Sequence, residues 1–200
     1  MCGEFLHKEI MLMKTILVCN QKGGVGKTLC CDLLCDFLIK DGIAHDLVSI
    51  DAQKGAFHEP KKEDGAVVRV VDTPGVLTED TKAMMEAADM IIIPTLLGTR
   101  DIPALERTLA LADEFKGKKP ILVILNRWNN YSISKEFEKW FEEKHPDLKA
   151  AVLSDCTAFN KAAALGESIL KHAPRCKGAQ QFAQIYGFVK TELGLKEGWR

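Results

Sequence analysis

Residues 20 to 28 read Asn-Gln-Lys-Gly-Gly-Val-Gly-Lys-Thr, and they constrain this chain more than any other stretch. The apolar run at 15–19 ahead of them reads as a buried strand and 29–39 as a helix, so the glycines occupy a strand-to-helix turn. In that setting Gly23, Gly24 and Gly26, with Val25 between them and Leu29 opening the helix, let main-chain N–H groups approach phosphate oxygens. The helix N-terminus adds its positive end there. Lys27 can reach the β and γ phosphates, and Thr28 can hold Mg²⁺. The segment predicts a nucleotide triphosphate site, and it carries one lysine, Lys22, more than such a cradle needs.

Two hundred residues, 46% of them hydrophobic, suit one domain of ordinary size, and no Pro/Ser-rich or low-complexity stretch marks a boundary. The reading is a single domain over 14–200 with residues 1–13 as an extension outside the fold, Met11 and Met13 being alternative starts. No apolar run approaches the ~20 residues of a membrane span, and Glu4, His7, Lys8 and Glu9 interrupt the stretch where a signal peptide has its apolar core. The expectation is a cytoplasmic protein without membrane placement. Seven cysteines with no C-x-x-C pair predict reduced thiols; Cys30, Cys31 and Cys35 on the helix after the loop read as small buried hydrophobes rather than metal ligands. The five histidines (7, 45, 58, 145 and 172) are scattered, which removes the basis for a metalloenzyme and predicts surface positions.

Further apolar, β-branched runs at 47–50, 67–71, 90–93, 121–125 and 151–153 alternate with helical patterns. Their hydrophobicity is continuous rather than alternating. This predicts an α/β fold, a mostly parallel twisted sheet with helices on both faces. Gly42 closes the first helix, Asp101 with Pro103 opens another, Ser134 caps a helix over 135–144 and Pro146 stops it. A last helix over 180–193 places Phe182, Ile185, Tyr186, Val189 and Leu193 on one stripe, as a core-docking helix does.

The common phosphate-loop pattern requires glycine at position 21, where this chain has Gln21 followed by Lys22. Lys-Gly-Gly-Val-Gly-Lys-Thr resembles the deviant Walker A signature of the ParA/MinD family of P-loop ATPases, over nearly the whole chain from about 14 to 193. The resemblance implies that Lys22 reaches across a dimer interface to the partner subunit's ATP, making Lys22 and Lys27 catalytic residues. The hydrophobic strand ending in Asp72, followed by Thr73-Pro74-Gly75, has the form of a Walker B element, with Asp72 joining Thr28 at Mg²⁺ and the Gly75 N–H sensing a γ phosphate. Val-Ser-Ile-Asp51-Ala-Gln resembles the family's second acidic strand end, where the Asp orients the attacking water; here Ala52 replaces the usual proline. Only about twenty residues separate Asp51 from Asp72, and the charged segment at 54–65 reads as a loop in place of a helix or edge strand.

Asn126, with Arg127 after it, ends the strand at 121–125 where P-loop relatives read the base. The guanine-reading carboxylate of N-K-x-D is replaced by Asn129, so ATP is favoured over GTP, although Asn126 also suits a plain strand-ending turn. Residues 158–169 resemble the family's late small-residue helix and glycine turn without its preceding arginine.

The leading functional expectation is a short ParA-type ATPase, lacking an N-terminal helix-turn-helix region, that acts in plasmid or chromosome partition. By resemblance it forms an ATP-bound homodimer, binds DNA nonspecifically and answers to a centromere-binding adaptor of the ParB type. Residues 155–200 carry seven Lys/Arg against four Asp/Glu, and Lys161, Lys171, Arg175 and Lys177 are the candidate DNA contacts; a solvated face explains the same excess. Alternatives are an ATPase accessory of conjugation or mobilisation acting through proteins, and a small-molecule synthetase.

Overall fold

The computed structural model describes residues 13–50, 57–76 and 79–199. The described elements run β1 (Lys14–Val18), α1 (Lys27–Lys40), β2 (His45–Ser49), β3 (Val68–Asp72), α2 (Glu79–Ala87), β4 (Met90–Thr95), α3 (Ile102–Ala112), β5 (Ile121–Trp128), α4 (Ser132–Lys144), β6 (Lys149–Ser154), α5 (Thr157–Ala164), α6 (Ile169–His172) and α7 (Lys177–Leu193). The strands form one sheet in the order β2-β3-β1-β4-β5-β6, every pairing parallel. β1 lies between β3 and β4: the chain places β2 at the edge, returns to set β3 beside β1, and then builds outward through β4, β5 and β6 on the other side. That reversal is a topological switch point, and it opens a crevice at the C-terminal end of β1, where the glycine loop begins.

Continuous hydrophobicity in the strands has a direct structural cause. Ile16 and Val18 pack with Cys30, Leu34 and Phe37 of α1 and Phe182, Ile185 and Val189 of α7, whereas Leu17 and Cys19 pack with Met85, Leu105, Leu109, Phe137 and Phe141 on the opposite face. β4 divides likewise, Met90 and Ile92 facing one way and Ile91 and Ile93 the other. Period-2 geometry with helices on both faces leaves no wet side for a polar residue. The predicted stripe on α7 is buried throughout, and Phe37 meets the Tyr186 ring at 5.2 Å between centroids.

Three local features differ from the sequence reading. β5 continues past Leu125 to Trp128, its ladder with β6 slipping between Asn126 and Trp128 while Arg127 takes φ +55°. α4 starts at Ser132, so Ser134 is inside it rather than its cap: Asn129 Oδ1 accepts both the Tyr131 N–H at 3.2 Å and the Ser134 hydroxyl at 2.9 Å, and the turn made by Asn129 starts the helix early. The described histidines are not surface residues. His45 is buried with Nδ1 3.0 Å from the Ile43 carbonyl, and His58, His145 and His172 are half-buried against Asp36, Glu106 and Glu167. Each ring has a polar partner that offsets its loss of water.

Candidate nucleotide-binding site

The glycine loop is held from below before any ligand is considered. The Cys19 N–H continues the β1 ladder to the Ile92 carbonyl at 3.0 Å, Asn20 Nδ2 donates to the Pro94 carbonyl at 2.8 Å, and Asn20 Oδ1 accepts the Lys22 N–H at 2.9 Å. The Gln21 N–H donates to Thr108 Oγ1 at 3.2 Å, tying the loop to α3. Gly24 and Gly26 adopt φ +74° and +102°, left-handed values that favour glycine, and Gly26 is the N-cap residue of α1 without a side-chain cap. Gly23 and Gly24 are exposed at the rim. The outcome is an open ring of main-chain groups over a helix N-terminus, the arrangement that attracts phosphate.

Lys27 and Thr28 point into this ring from the first turn of α1. Lys27 is buried, and its Nζ donates to the Lys22 carbonyl at 3.0 Å. Thr28 Oγ1 donates to Asp72 Oδ2 at 2.8 Å, so the loop threonine and the carboxylate ending β3 meet across 44 residues of chain. Asp72 is buried, and the Thr73 hydroxyl next to it donates to the Val18 carbonyl at 3.0 Å. Gly75 presses on the loop itself: a Cβ there would stand 2.8 Å from the Gly23 nitrogen and 2.9 Å from Gly23 Cα. The segment after β3 and the phosphate loop are thus in backbone contact. Asp51 lies outside the described residues; its neighbour Ile50 donates its N–H to the Asp72 carbonyl at 2.9 Å.

The extra lysine has an assigned place. Lys22 Nζ is 2.5 Å from Asp101 Oδ1 and 3.4 Å from the Arg100 carbonyl, while the buried Asp101 also accepts the Gly98 N–H at 3.1 Å. Arg107 of α3 contacts the Gln21 side chain beside it. Asp101 was legible only as the opener of α3; its side chain makes no cap hydrogen bond and instead holds a residue 79 positions away, a pairing that no local pattern announces.

On the other flank, Asn126 is buried with Nδ2 donating to the Val25 carbonyl at 2.8 Å and Oδ1 accepting the Arg127 N–H at 2.8 Å. A Cβ on Gly26 would come within 2.2 Å of that amide nitrogen. Asn126 therefore braces the loop, and its second amide hydrogen is what it has left for a base. Arg127 is exposed. Beyond it, at the C-terminal ends of β5 and β6, a pocket of about 440 Å³ is lined by Trp128, Asn129, Asn130, Ser154, Asp155 and Lys177, with the Lys177 ammonium 5.3 Å from the Trp128 ring centroid. The Ser154 hydroxyl is buried there without a hydrogen-bond partner. Sequence reasoning missed this pocket, whose lining brings together residues from the end of β5, the end of β6 and the start of α7. A cavity of about 560 Å³ lined by Phe37, Lys40, Tyr186 and Lys190 lies at the far end of α1 from the loop.

Lys161, Lys171, Arg175 and Lys177 are all exposed, on α5, α6 and the start of α7. Lys171 is paired with Glu167 at 2.8 Å. Cys30, Cys31 and Cys35 are buried as read, and burial pushes the Cys35 thiol up to about 12 and holds those of Cys30 and Cys31 protonated. Among the described residues no group of three or more His, Cys, Asp or Glu side chains is arranged to hold a metal ion, and no helix is long and apolar enough to cross a membrane.

The model of a family described as the CobQ/CobB/MinD/ParA nucleotide binding domain matches residues 16–169. Among solved structures, an ATP complex of a McdA variant from Cyanothece is similar at 18% identity and TM-score 0.70, over 92% of this chain and 98% of that one. A ParA family ATPase from Chlorobium tepidum is similar at 15% identity and TM-score 0.69, covering 86% and 98%. The septum site-determining protein MinD from Pyrococcus horikoshii, complexed with Mg-ADP, is similar at 18% identity and TM-score 0.64, covering 89% and 96%. No curated protein matches the sequence.

Proposed function

This chain belongs to the CobQ/CobB/MinD/ParA nucleotide-binding family, and from that premise we propose that it is an ATP-dependent, dimerising switch ATPase of the ParA type that serves DNA partition or positioning. One observation carries the reading: Thr28 and Asp72 meet at 2.8 Å beneath a glycine ring that has a second lysine, Lys22, at its head. The ring, Lys27 and the helix N-terminus supply donors for a triphosphate. The Thr28 hydroxyl and the Asp72 carboxylate are hard oxygen donors of the kind Mg²⁺ takes. When bound, the ion neutralises charge on the β and γ phosphates.

The remaining roles fall to the chain's own residues. The Gly75 N–H serves to sense a γ phosphate, its segment being packed so closely on the loop that a Cβ on Gly75 would meet Gly23. Asp51, in the segment that resembles the family's second acidic strand end, orients a water for attack. Lys22 is held by Asp101 in the single chain and is the group that crosses to a facing subunit's phosphates. Two facing triphosphates repel each other, and a lysine donated by each subunit offsets that repulsion. Hydrolysis is slow until a partner completes the site, an adaptor of the ParB type in this reading. The exposed Lys161, Lys171, Arg175 and Lys177 give the dimer a sequence-independent, salt-sensitive hold on DNA.

The base pocket beside Asn126 carries no guanine-reading carboxylate at position 129. Calorimetric titration with ATP and GTP, each with Mg²⁺, tests the assignment: ATP binds the more tightly. Equal or tighter GTP binding overturns the adenine reading.

A further inference from the structure

The two edges of the sheet are finished differently. At β2, Leu47 exchanges both main-chain hydrogen bonds with Lys61 at 3.0 Å, and Asp46 Oδ1 accepts the Glu63 N–H at 2.9 Å, so the segment around Lys61 covers that edge. β6, at the opposite edge, pairs with β5 alone. The Asp155 N–H points inward to the Trp128 carbonyl at 2.9 Å, whereas the Ser154 N–H points outward to Gln181 Oε1 at 2.8 Å. Main-chain groups alternate in direction along an edge strand, so those of Ala150 and Val152 face outward with Ser154. Beside them a groove of about 460 Å³ runs between β6 and α7, with Ala151, Val152, Gln181, Gln184 and Phe188 in its lining.

We propose that the β6 edge is a self-association surface, on which β6 of a second copy of this chain adds as an antiparallel strand. Charge selects that occupant and its register. Lys149 and Asp155 stand exposed at the two ends of the strand, and their spacing puts them on one face, where the Lys149 ammonium lies 5.9 Å from the Phe188 ring centroid of α7. A two-fold axis at Val152 sets Lys149 opposite the partner's Asp155, and Asp155 opposite the partner's Lys149. In that register Val152 meets its own copy and Ala150 meets the partner's Ser154. All of these have outward main-chain groups, as a hydrogen-bonded antiparallel ladder requires. The Ser154 N–H then exchanges Gln181 for the partner's Ala150 carbonyl, so no donor is left unanswered.

The interface is small. Six residues of edge offer less than the roughly 800 Å² per partner of a stable complex, so the copies stay apart in dilute solution and pair in concentrated solution.

The test uses the full chain without nucleotide, so its outcome is independent of the ATPase reading. Sedimentation equilibrium over a concentration series reaching the millimolar range is expected to show reversible dimers, with amide exchange at Ala150 and Val152 slowing as they form. Lys149→Asp sets like charges opposite each other at both ends and weakens the dimer about tenfold. Adding Asp155→Lys to that variant restores the parental constant. Val152→Pro takes away the outward N–H at the centre of the pairing, which no bond to β5 uses, and abolishes the dimer. A chain that is monomeric throughout, as it is if the edge serves an extended segment of another protein, overturns the proposal. So does a dimer that ignores both charges, or one that leaves the Val152 amide exchanging freely.

Discussion

Asp101→Asn removes the charge that holds Lys22 while keeping an oxygen for the Gly98 N–H. The ion pair is short, 2.5 Å, with the Asp101 side chain 8% exposed but the lysine 35% exposed, so water screens it from one side. A pair of this kind contributes about 0.5–1 kcal/mol. If Lys22 must leave Asp101 to reach a facing subunit, a dimer breaks two pairs, and the charge-neutral asparagine removes about 1–2 kcal/mol from the cost of association. That converts to about 5–30-fold tighter dimerisation. Sedimentation equilibrium with ATP and Mg²⁺ over a concentration series reads the dissociation constant directly, with thermal unfolding as a check on folding. A dimer constant equal to or weaker than the parent's, at unchanged ATP affinity, refutes the idea that Asp101 and the partner's nucleotide compete for Lys22.

Asp51→Ala is expected to accumulate the ATP-bound dimer and to release phosphate more slowly than the already slow parent; parental phosphate release would place the water-orienting group elsewhere. His45 gives a pH test. Burial holds its imidazole below the ordinary 6.5, with the Ile43 carbonyl contact acting in the opposite direction. Between the depressed folded value and 6.5 the unfolded chain binds a proton that the folded chain does not, so this contribution to stability is present above 6.5 and is lost as the pH falls below it. Thermal midpoints measured from about pH 7.5 down to pH 5.5 should fall less steeply in His45→Asn, which keeps a donor for Ile43, than in the parent. Equal slopes would remove His45 from the acid response.

The parts of the fold that the sequence announces are those whose causes are local. The strands read as continuous apolar runs because helices bury both faces, and the loop, its lysine, Thr28 and Asp72 read from strand-turn-helix context and a strand-ending carboxylate. Tertiary contacts decided the rest. β5 runs on through Arg127 with its ladder to β6 shifting between Asn126 and Trp128, and Trp128 lines a pocket with residues of β6 and α7. Asn126 was legible as a strand-end amide, but its bond to the Val25 carbonyl depends on the close approach of Gly26 from the far side of the loop. Asp32 and Asp36 of α1 read as ordinary helix carboxylates. Asp32 takes the Phe57 and His58 N–H groups at 2.8 and 2.9 Å, and Asp36 takes the His58 ring and the Ile169 N–H, an anchoring that joins three separate parts of the chain. A half-buried histidine is the outcome where a polar residue finds such a partner, which scattered spacing cannot foretell.

The central claim is that Lys22 serves the facing subunit rather than its own phosphates, and light scattering of Lys22→Ala with ATP and Mg²⁺ tests it most directly. The account predicts a variant that still binds ATP as a monomer but forms no ATP-dependent dimer, losing DNA association and partner-stimulated turnover together. A Lys22→Ala dimer of unchanged mass and nucleotide dependence would contradict it.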